Sequence, residues 1–559
     1  MTLRISVAQL NLVVGDMAGN AQQIIQAARE AHARGVELLL TPELSICGYA
    51  AEDLFLRPAF IDACDDALKT VARELAPLKG LHVVVGHPEG GGVRTRSVAV
   101  TRRHNRASVL CEGRVVAHYD KRELPNYQVF DERRYFTPGS QACVFEVAGH
   151  QVGLLICEDA WFEAPAQAAR SAGAQCLAVL NASPFHAGKG PEREQRMRER
   201  VQQTGVPLIY AHLVGGQDEV IFEGRSFALD AQGAVVARAP GFAVAHLDLQ
   251  LDAADAASPA RLTARAEALA PLQDSEAELW DALVLGVRDY LGKNGFKGAI
   301  LGLSGGIDSA LVLAIAVDAL GADRVHAVMM PSPYTADISW IDARDMAKRL
   351  GVRYDEISIA PLFEGFRGAL AGQFAGLAED TTEENIQARV RGTLLMALSN
   401  KTGAIVLTTG NKSEMATGYC TLYGDMAGGF AVIKDVLKTR VFALARWRNR
   451  HDPYGTGEQP IPERIITRPP SAELRPDQKD QDSLPPYEVL DAIIERYMEN
   501  DEGRLALIAD GFDPADVEQV TRLIRINEYK RRQSPVGIRV THRSFGKDWR
   551  YPMTNRFKA

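Results

Sequence analysis

Residues 304–309, with the sequence Ser-Gly-Gly-Ile-Asp-Ser, constrain the fold of this chain more than any other stretch. They follow a short apolar run at 298–303 that is typical of a buried strand. They lead into a longer apolar run at 307–317 that is typical of a helix. A Ser-Gly-Gly turn between a strand and a helix leaves backbone N–H groups unpaired, and the helix dipole adds partial positive charge there. The turn therefore predicts a pyrophosphate-binding loop, with Asp308 beside a metal-bound phosphate.

The sequence of the same loop also indicates which bond of ATP is cleaved. It fits the pyrophosphate loop of ATP-pyrophosphatase synthetases, and it lacks the closing Gly-Lys-Ser/Thr of a kinase-type loop. This difference favours cleavage between the α and β phosphates of ATP, with release of AMP, over transfer of the γ-phosphate. A plain strand–helix connection is the alternative for a Gly-Gly turn taken alone.

Length and composition set the broad class of protein. A chain of 559 residues favours two large domains. A net charge of −8 argues against a nonspecific nucleic-acid partner. The seven cysteines are scattered and odd in number, which is typical of reduced thiols. Since neither a signal peptide nor a long apolar span is visible, we expect a cytoplasmic protein with no membrane partner.

Both halves of the chain alternate strand-like and helix-like runs, which predicts an α/β protein. Residues 1–251 form the first predicted domain, and residues 252–275, rich in Ala, acid and Pro, are predicted as a linker. Residues 276–559 form the second, with the pattern of a doubly wound parallel sheet. Within it, residues 451–486 are rich in Pro, Asp and Glu and are predicted as a loop.

Several motifs of the second half occur together. Thr408-Thr-Gly-Asn-Lys-Ser-Glu-Met415 follows a predicted strand, and Tyr423-Gly-Asp425 comes soon after it. Lys530-Arg-Arg-Gln-Ser-Pro-Val-Gly537 and Arg543-Ser-Phe-Gly-Lys-Asp-Trp-Arg-Tyr-Pro552 stand near the C-terminus. With the glycine loop, these segments resemble the NAD⁺ synthetases over most of residues 276–555. The resemblance implies a Rossmann-like ATP-pyrophosphatase fold.

The resemblance also implies roles for individual residues. The expected ATP-binding residues are Gly302, Leu303, Ser304, Gly305, Gly306, Ile307, Asp308, Ser309 and Thr409. Asp308 and Glu414 would bind Mg²⁺, and the expected dinucleotide contacts are Asn385, Glu414, Asp425 and Lys530. Whether Lys434 or Lys438 steadies phosphate stays open. Taken without the resemblance, Asn385 could be a helix N-cap, Glu414 a solvated loop acid and Lys530 a surface charge.

The implied chemistry is the amidation of a carboxylate. A carboxylate resists ammonia because it is anionic and has a poor leaving group, whereas its adenylate is a mixed anhydride with a good one. A metal ion and a lysine would neutralise the departing pyrophosphate. The family substrate is nicotinic acid adenine dinucleotide (deamido-NAD), whose pyridine carboxylate becomes the amide of NAD⁺.

Three residues of the first half lie at predicted strand ends, where side chains can converge: Glu43, Lys121 and Cys157. In order and context they resemble the Glu–Lys–Cys triad of the nitrilase (carbon–nitrogen hydrolase) superfamily, which implies an α/β/β/α sandwich. Cys157 would be the nucleophile, Glu43 its general base and Lys121 the cation that stabilises the oxyanion. Each alone has a plainer interpretation as a core cysteine, a loop acid or a solvated lysine.

The same resemblance suggests that Tyr127, Ser183 and Lys189 contact glutamine, and that Glu132 supports the lysine. Tyr127 could instead be an ordinary half-buried aromatic residue, and Ser183 a turn hydroxyl. The fusion of two such halves predicts that ammonia from glutamine attacks the adenylate after crossing a sheltered passage from Cys157 to Asp308. We expect at least a homodimer. The alternatives are another amide-forming synthetase, a silent nucleotide sensor and a bare amide hydrolase.

Overall fold

The computed structural model describes residues 2–90, 103–253, 260–470, 473–475 and 484–557. The chain divides into two compact units. The first comprises Met1–Gln217 and Ile221–Gln273, and the second comprises Asp218–Val220 and Asp274–Ala559. Among the described residues, no helix has the length and apolar character that a membrane span requires.

The first unit is built mainly from strands. In chain order they are β1 (Thr2–Gln9), β2 (Leu38–Leu40), β3 (His82–Pro88), β4 (Asn105–Cys111), β5 (Arg114–Asp120), β6 (Val144–Val147), β7 (His150–Ile156), β8 (Cys176–Asn181), β9 (Leu208–His212), β10 (Val214–Gln217), β11 (Val220–Glu223), β12 (Phe227–Leu229), β13 (Val235–Arg238), β14 (Ala245–Asp252) and β15 (Arg261–Ala264). Its helices are α1 (Met17–Ala33), α2 (Pro58–Leu75), α3 (Glu163–Ser171) and α4 (Lys189–Thr204).

These strands form two sheets that share one core. The orders are β15-β14-β1-β2-β3-β4-β5 and β13-β12-β9-β8-β7-β6, while β10 and β11 form a separate pair. Apolar side chains of both sheets, such as Val7, Val84, Leu154 and Leu180, belong to a single buried cluster. Helix α2 packs on β3 and β4, and α3 and α4 pack on β7 and β12 respectively. The expected α/β/β/α sandwich is therefore confirmed.

Part of the expected linker 252–275 belongs to a sheet. Strand β15 pairs antiparallel with β14, with Leu262 opposite Leu251, and Leu262 is buried in the shared core. The prediction of a plain linker was wrong here because it rested on composition, whereas this edge strand is fixed by apolar side chains that meet distant partners. Residues 254–259 of the expected linker lie outside the described residues.

The second unit alternates strands and helices. In chain order these are α5 (Ser275–Lys293), β16 (Ala299–Gly302), α6 (Ile307–Leu320), β17 (Val325–Met329), α7 (Asp337–Leu350), β18 (Arg353–Glu356), α8 (Ala360–Leu370), α9 (Thr381–Thr402), β19 (Ile405–Thr408), α10 (Lys412–Thr417), β20 (Phe430–Ala431), α11 (Lys438–Arg450), α12 (Glu463–Thr467), α13 (Tyr487–Ile494), α14 (Arg504–Ala509), α15 (Pro514–Ile526) and α16 (Glu528–Arg531).

The sheet of this unit has the order β18-β17-β16-β19-β20, and all its pairs are parallel. The chain runs outward from β16 to β18 on one side and then returns to build β19 and β20 on the other. The strand order thus reverses between β16 and β19. Open α/β sheets bind ligands beyond the carboxyl ends of strands at such a point. The doubly wound prediction is confirmed, and the glycine loop after β16 lies at this position.

The segment 451–486 is not a loop throughout. It contains α12, whose Ile465 and Ile466 are each 2% exposed. The loop prediction weighed the Pro, Asp and Glu content and missed this apolar pair, which is enough to dock a single helical turn. Residues 471–472 and 476–483 of the segment lie outside the described residues.

Candidate active sites

Three strand ends bring Glu43, Lys121 and Cys157 together in the first unit. Glu43 lies just beyond β2, Lys121 directly follows β5, and Cys157 directly follows β7. The three residues are 1%, 1% and 3% exposed, which rules out a solvated lysine or a surface loop acid. The Lys121 Nζ lies 2.7 Å from the Glu43 Oε1. Cys157 has φ +46°, a strained backbone conformation for a residue with a side chain. The chain therefore turns sharply at this residue, directly after β7.

Lys121 lies between two buried carboxylates. Its Nζ also donates to the Glu132 Oε1 at 2.8 Å. Burial opposes the charge of the lysine, but Glu132 and Glu43 hold the pKa of Lys121 well above its usual value. Asn105 donates to the Glu43 Oε1 at 2.7 Å, and Tyr49 donates to the Glu132 Oε1 at 2.9 Å. Lys121 is therefore a fixed cation.

The environment of Cys157 favours the neutral thiol over the thiolate. Burial and then the Glu43 carboxylate raise its pKa well above the ordinary value, while Lys121 acts in the opposite direction. A thiol of this kind needs a base to take its proton at the moment of attack. Glu43 is the carboxylate with the largest electrostatic effect on the thiol, which makes it the candidate base.

Asp159 ties the turn that carries Cys157 to the segment that follows Lys121. Its Oδ1 accepts from the backbone N–H groups of Arg122 and Glu123 at 3.0 and 2.8 Å. Its Oδ2 accepts from the Tyr119 hydroxyl at 2.9 Å and from the Ile156 N–H at 3.0 Å. Burial raises the pKa of Asp159 to about 6. The sequence alone did not indicate a role for this residue.

Tyr127 faces a cavity of about 300 Å³, and its hydroxyl donates to both Glu158 oxygens at 2.9 and 3.1 Å. Glu158, which sequence inspection did not assign, lines the same cavity. The predicted residues Ser183 and Lys189 lie elsewhere, in the segment from β8 to α4. The neighbouring Ala182 N–H donates to the Glu43 Oε2 at 3.0 Å, which places this segment against the buried cluster. The Lys189 Nζ lies 4.1 Å from the centre of the Trp161 ring.

In the second unit, one cavity of about 530 Å³ gathers all the predicted residues. Every residue from Gly302 to Ser309 lines it. So do the other five predicted residues, namely Thr409, Asn385, Glu414, Asp425 and Lys530. These positions are far apart in sequence, and the reversal of strand order brings them to one edge of the sheet.

The loop geometry explains why glycine stands at its centre. Gly305 has φ +80°, and a Cβ there would lie 2.5 Å from the Ser339 carbonyl oxygen. The Ser309 hydroxyl donates to the Gly306 carbonyl at 3.0 Å, and the Ser304 N–H donates to the Ser309 hydroxyl oxygen at 3.2 Å. Helix α6 then starts at Ile307, so its positive dipole end faces the cavity. The arrangement suits an anionic ligand.

Two carboxylates and a lysine meet beside this loop. Asn411 bridges the acids, because its side chain donates to the Asp308 Oδ1 at 2.9 Å and its backbone N–H donates to the Glu414 Oε2 at 3.1 Å. The Lys438 Nζ lies 2.5 Å from the Asp308 Oδ2 and 3.6 Å from the Glu414 Oε1. Lys434 instead donates to the Pro535 carbonyl at 2.7 Å, and it is not among the cavity-lining residues. The geometry thus favours Lys438 as the phosphate contact.

The other predicted contacts surround the segment 418–425. Thr421 donates through its hydroxyl to the Asn385 Oδ1 at 2.8 Å and through its N–H to the Asp425 Oδ1 at 2.7 Å. The Lys530 Nζ donates to the carbonyls of Gly418 and Cys420 at 2.7 and 2.8 Å. Burial raises the pKa of Asp425 to about 6. Asn385 lies inside α9, whose N-cap is Asp380, so the capping interpretation is wrong.

Among the charged residues that line the same cavity, Arg391, Arg468 and Glu473 were not predicted from the sequence. The Arg391 Nε donates to the Met330 carbonyl at 2.9 Å, and burial lowers its pKa to about 10. Glu473 pairs with Arg468 and accepts from the Ser339 hydroxyl at 2.7 Å. No motif marks these positions. Arg391 lies inside α9, in sequence typical of any helix, and the other two lie in the segment predicted as a loop.

Each unit matches a known protein family. The chain matches the carbon–nitrogen hydrolase family over residues 4–259 and the NAD synthase family over residues 279–534. It is 46% identical to the glutamine-dependent NAD(+) synthetase of Acinetobacter baylyi, over 100% of this chain and 99% of that one. It is 48% identical to the enzyme of that name from Xanthomonas campestris, over 100% and 98% of the two chains.

A solved structure gives the same result for the fold. The glutamine-dependent NAD+ synthetase from Acinetobacter baumannii, in complex with adenosine diphosphate, matches with a TM-score of 0.77 and 43% identity over 99% of both chains. The match spans both units of the chain. The chain therefore belongs to the family of glutamine-dependent NAD(+) synthetases.

Proposed function

We propose that this protein amidates nicotinic acid adenine dinucleotide to NAD⁺ with ammonia taken from glutamine, and that it converts ATP to AMP and pyrophosphate. The observation that carries the proposal is the presence in one chain of a buried Cys157–Glu43–Lys121 cluster and a cavity walled by the 302–309 loop. The first can release ammonia from an amide, and the second can activate a carboxylate for attack by ammonia.

In the first reaction, the Cys157 sulfur attacks the side-chain amide carbon of glutamine while Glu43 takes the thiol proton. The fixed Lys121 cation stabilises the oxyanion that forms. Glu43 then returns the proton to the departing nitrogen, so ammonia leaves and a thioester remains. Water, deprotonated by Glu43, then attacks the thioester carbon, the C–S bond breaks to release glutamate, and the proton on Glu43 returns to the Cys157 sulfur. Glu132 supports this sequence by holding Lys121 in its charged form.

Recognition of glutamine requires groups for its charged backbone end. Ser183 and Lys189 supply a hydroxyl and an ammonium group for the α-carboxylate. Tyr127 and Glu158, the latter adjacent to Cys157 in sequence, both line the 300 Å³ cavity. We add Glu158 to the proposed set because a carboxylate there would pair with the α-ammonium group of the substrate.

In the second reaction, the pyridine carboxylate of the dinucleotide attacks the α-phosphorus of ATP, and pyrophosphate leaves. Ammonia then attacks the acyl carbon of the adenylate, and AMP leaves. The 302–309 loop would hold the phosphates, Lys438 would neutralise the leaving charge, and Thr409 would contact adenosine. Asn385, Glu414, Asp425 and Lys530 would hold the dinucleotide.

A magnesium ion fits the acids of this cavity. Asp308 and Glu414 offer oxygen ligands and are joined through Asn411. In the described part of the chain, no cluster of three or more metal-binding side chains occurs. Two carboxylates completed by waters and substrate phosphates are what Mg²⁺ normally uses. When bound by Asp308 and Glu414, the ion would supply positive charge for the departing pyrophosphate.

We also propose a homodimer or larger assembly in the cytoplasm. Exposed apolar side chains beside the dinucleotide contacts support association, since Tyr423, Tyr529 and Val536 are 67%, 46% and 40% exposed. All seven cysteines are free thiols, as a reducing compartment favours. Light scattering would measure the assembly, and a purely monomeric protein at working concentration would contradict it.

Substitution of the nucleophile tests the division of labour. Cys157→Ala should abolish NAD⁺ synthesis with glutamine and leave synthesis with ammonium salts unchanged, because only the first reaction uses the thiol. Cys143→Ala, at a partly buried thiol outside the triad, is the matched control and should retain both activities. Equal loss of both activities in Cys157→Ala, with the control intact, would refute the proposal.

A further inference from the structure

A buried ion pair that the reaction scheme does not use lies next to Ser183. Arg193, in the second turn of α4, pairs with Glu223 at the end of β11, and their side chains are 2% and 1% exposed. Burial disfavours the charged carboxylate, but Arg193 holds the pKa of Glu223 below its usual value. Because desolvation of two charges is costly, such a pair is weak evidence for stability and calls for another explanation.

Arg193 also contacts the candidate glutamine site. Its Nη2 donates to the Ser183 hydroxyl oxygen at 3.3 Å and to the Ser183 carbonyl at 3.4 Å. A guanidinium group can only donate, so the hydroxyl oxygen accepts from it, and the hydroxyl proton must point elsewhere. The nearby cation also makes that proton a better donor. Ser183 is thereby set to donate to an anion.

The surrounding contacts hold this arrangement in place. The Ala182 N–H donates to the Glu43 Oε2 at 3.0 Å, and the Phe185 N–H donates to the Ile221 carbonyl at 2.7 Å. The short segment that carries Ser183 is thus attached on one side to the proposed general base and on the other to β11, which also carries Glu223. The Tyr210 ring lies against the guanidinium, with 5.8 Å between the Arg193 Cζ and the ring centre.

We propose that Arg193, held by Glu223, is a positioning residue that directs the Ser183 hydroxyl toward the α-carboxylate of glutamine. The pair then sets the affinity for glutamine and leaves the chemical step to Cys157, Glu43 and Lys121. This inference rests on the proposed role of Ser183 in glutamine binding.

The double variant Arg193→Met/Glu223→Met tests it in the full chain. Replacement of a buried ion pair by apolar residues of similar volume is often neutral for stability, so the thermal midpoint should be retained. The KM for glutamine should rise about tenfold, as expected for a lost charge-assisted hydrogen bond, with kcat within about twofold. Ammonia-dependent synthesis should not change. A folded double variant with the original KM would show that the pair is only a brace and would overturn the proposal.

Ser183→Ala separates this inference from the role on which it rests. On its own it should raise the KM for glutamine, and in the double-variant background it should add little, because the two changes remove the same interaction. An unchanged KM in Ser183→Ala would remove the role of Ser183 itself. Full additivity would overturn the link to Arg193 alone.

Arg193→Lys keeps the inference testable if the double variant does not fold. Lysine keeps the charge beside Glu223 but lacks the planar fork that reaches Glu223 and Ser183 together. It should raise the KM for glutamine to a similar degree. A lysine variant with the original KM would overturn the proposal.

Discussion

At the scale of single residues, the state of the Cys157 proton decides how the first reaction begins. A cysteine beside a lysine is often drawn as a standing thiolate. Here Lys121 already donates to two carboxylates at 2.7 and 2.8 Å, so its charge is largely matched before the thiol ionises. The net effect of burial and Glu43 is a raised pKa of Cys157. We therefore expect attack and proton transfer to Glu43 to occur together.

The pH dependence of alkylation should reveal this. Below a raised pKa the thiolate fraction grows about tenfold for each pH unit, so the rate of iodoacetamide labelling at Cys157 should climb from about pH 7 to about pH 9 without levelling. Mass spectrometry of the peptide that contains Cys157 separates its rate from those of the six other thiols. A plateau below about pH 8 would instead indicate a preformed thiolate–lysine pair.

Residue-scale prediction from sequence was possible where motifs carry the signal. Glu43, Lys121 and Cys157 were found through their local contexts, and the structure buries all three together. The pairing of Arg193 with Glu223 could not be predicted from the sequence. Arg193 lies in a charged helix and Glu223 ends a strand, and the local sequence of neither residue indicates its partner. The choice between Lys434 and Lys438 also required the structure, because it depends on where α11 begins.

At the scale of elements, the sequence predicted the helices and strands whose determinants are adjacent in sequence, and it missed those that depend on tertiary contacts. The apolar run, the glycine turn and the helix after it predicted β16, the loop and α6, since all their determinants are adjacent in sequence. Strand β15 was missed because its pairing with β14 is a tertiary contact. Helix α12 was missed because a short turn has little intrinsic stability and forms only through the burial of Ile465 and Ile466.

The Asp159 side chain holds two segments of the first unit together. Its carboxylate accepts four hydrogen bonds that link the Cys157 turn with the start of the segment after β5. Asp159→Asn should place an amide donor against N–H groups, lowering the free energy of unfolding by about 1–3 kcal/mol. Because Lys121 and Cys157 would lose their alignment, glutamine-dependent kcat should fall.

Asp230→Asn is the matched control for this change. Asp230 accepts backbone N–H groups of Gln232 and Ala234 at 3.0 and 2.9 Å in an exposed turn. Thermal unfolding and steady-state assays with glutamine and with ammonia would measure both variants. If Asp159→Asn lost ammonia-dependent synthesis to the same degree as glutamine-dependent synthesis, its effect would not be confined to the first site.

At the scale of the whole molecule, ammonia is the intermediate that would connect the two candidate sites. Near neutral pH, free ammonia is mostly ammonium, which has no lone pair with which to attack an adenylate. A glutamine-hydrolysing site in the same chain can supply the neutral molecule where it is consumed. The union of the sites therefore predicts that nitrogen passes from glutamine to product without equilibrating with the solvent.

Isotope competition tests that transfer directly. With amide-¹⁵N glutamine and an excess of unlabelled ammonium, the NAD⁺ formed by the unmodified enzyme should carry the label fraction of the glutamine. Cys157→Ala provides the limit, since it can draw only on bulk ammonium and should give unlabelled product. Product with the isotope ratio of the bulk pool, made by an enzyme active at both sites, would mean that ammonia escapes before use. The two units would then share a chain without sharing an intermediate.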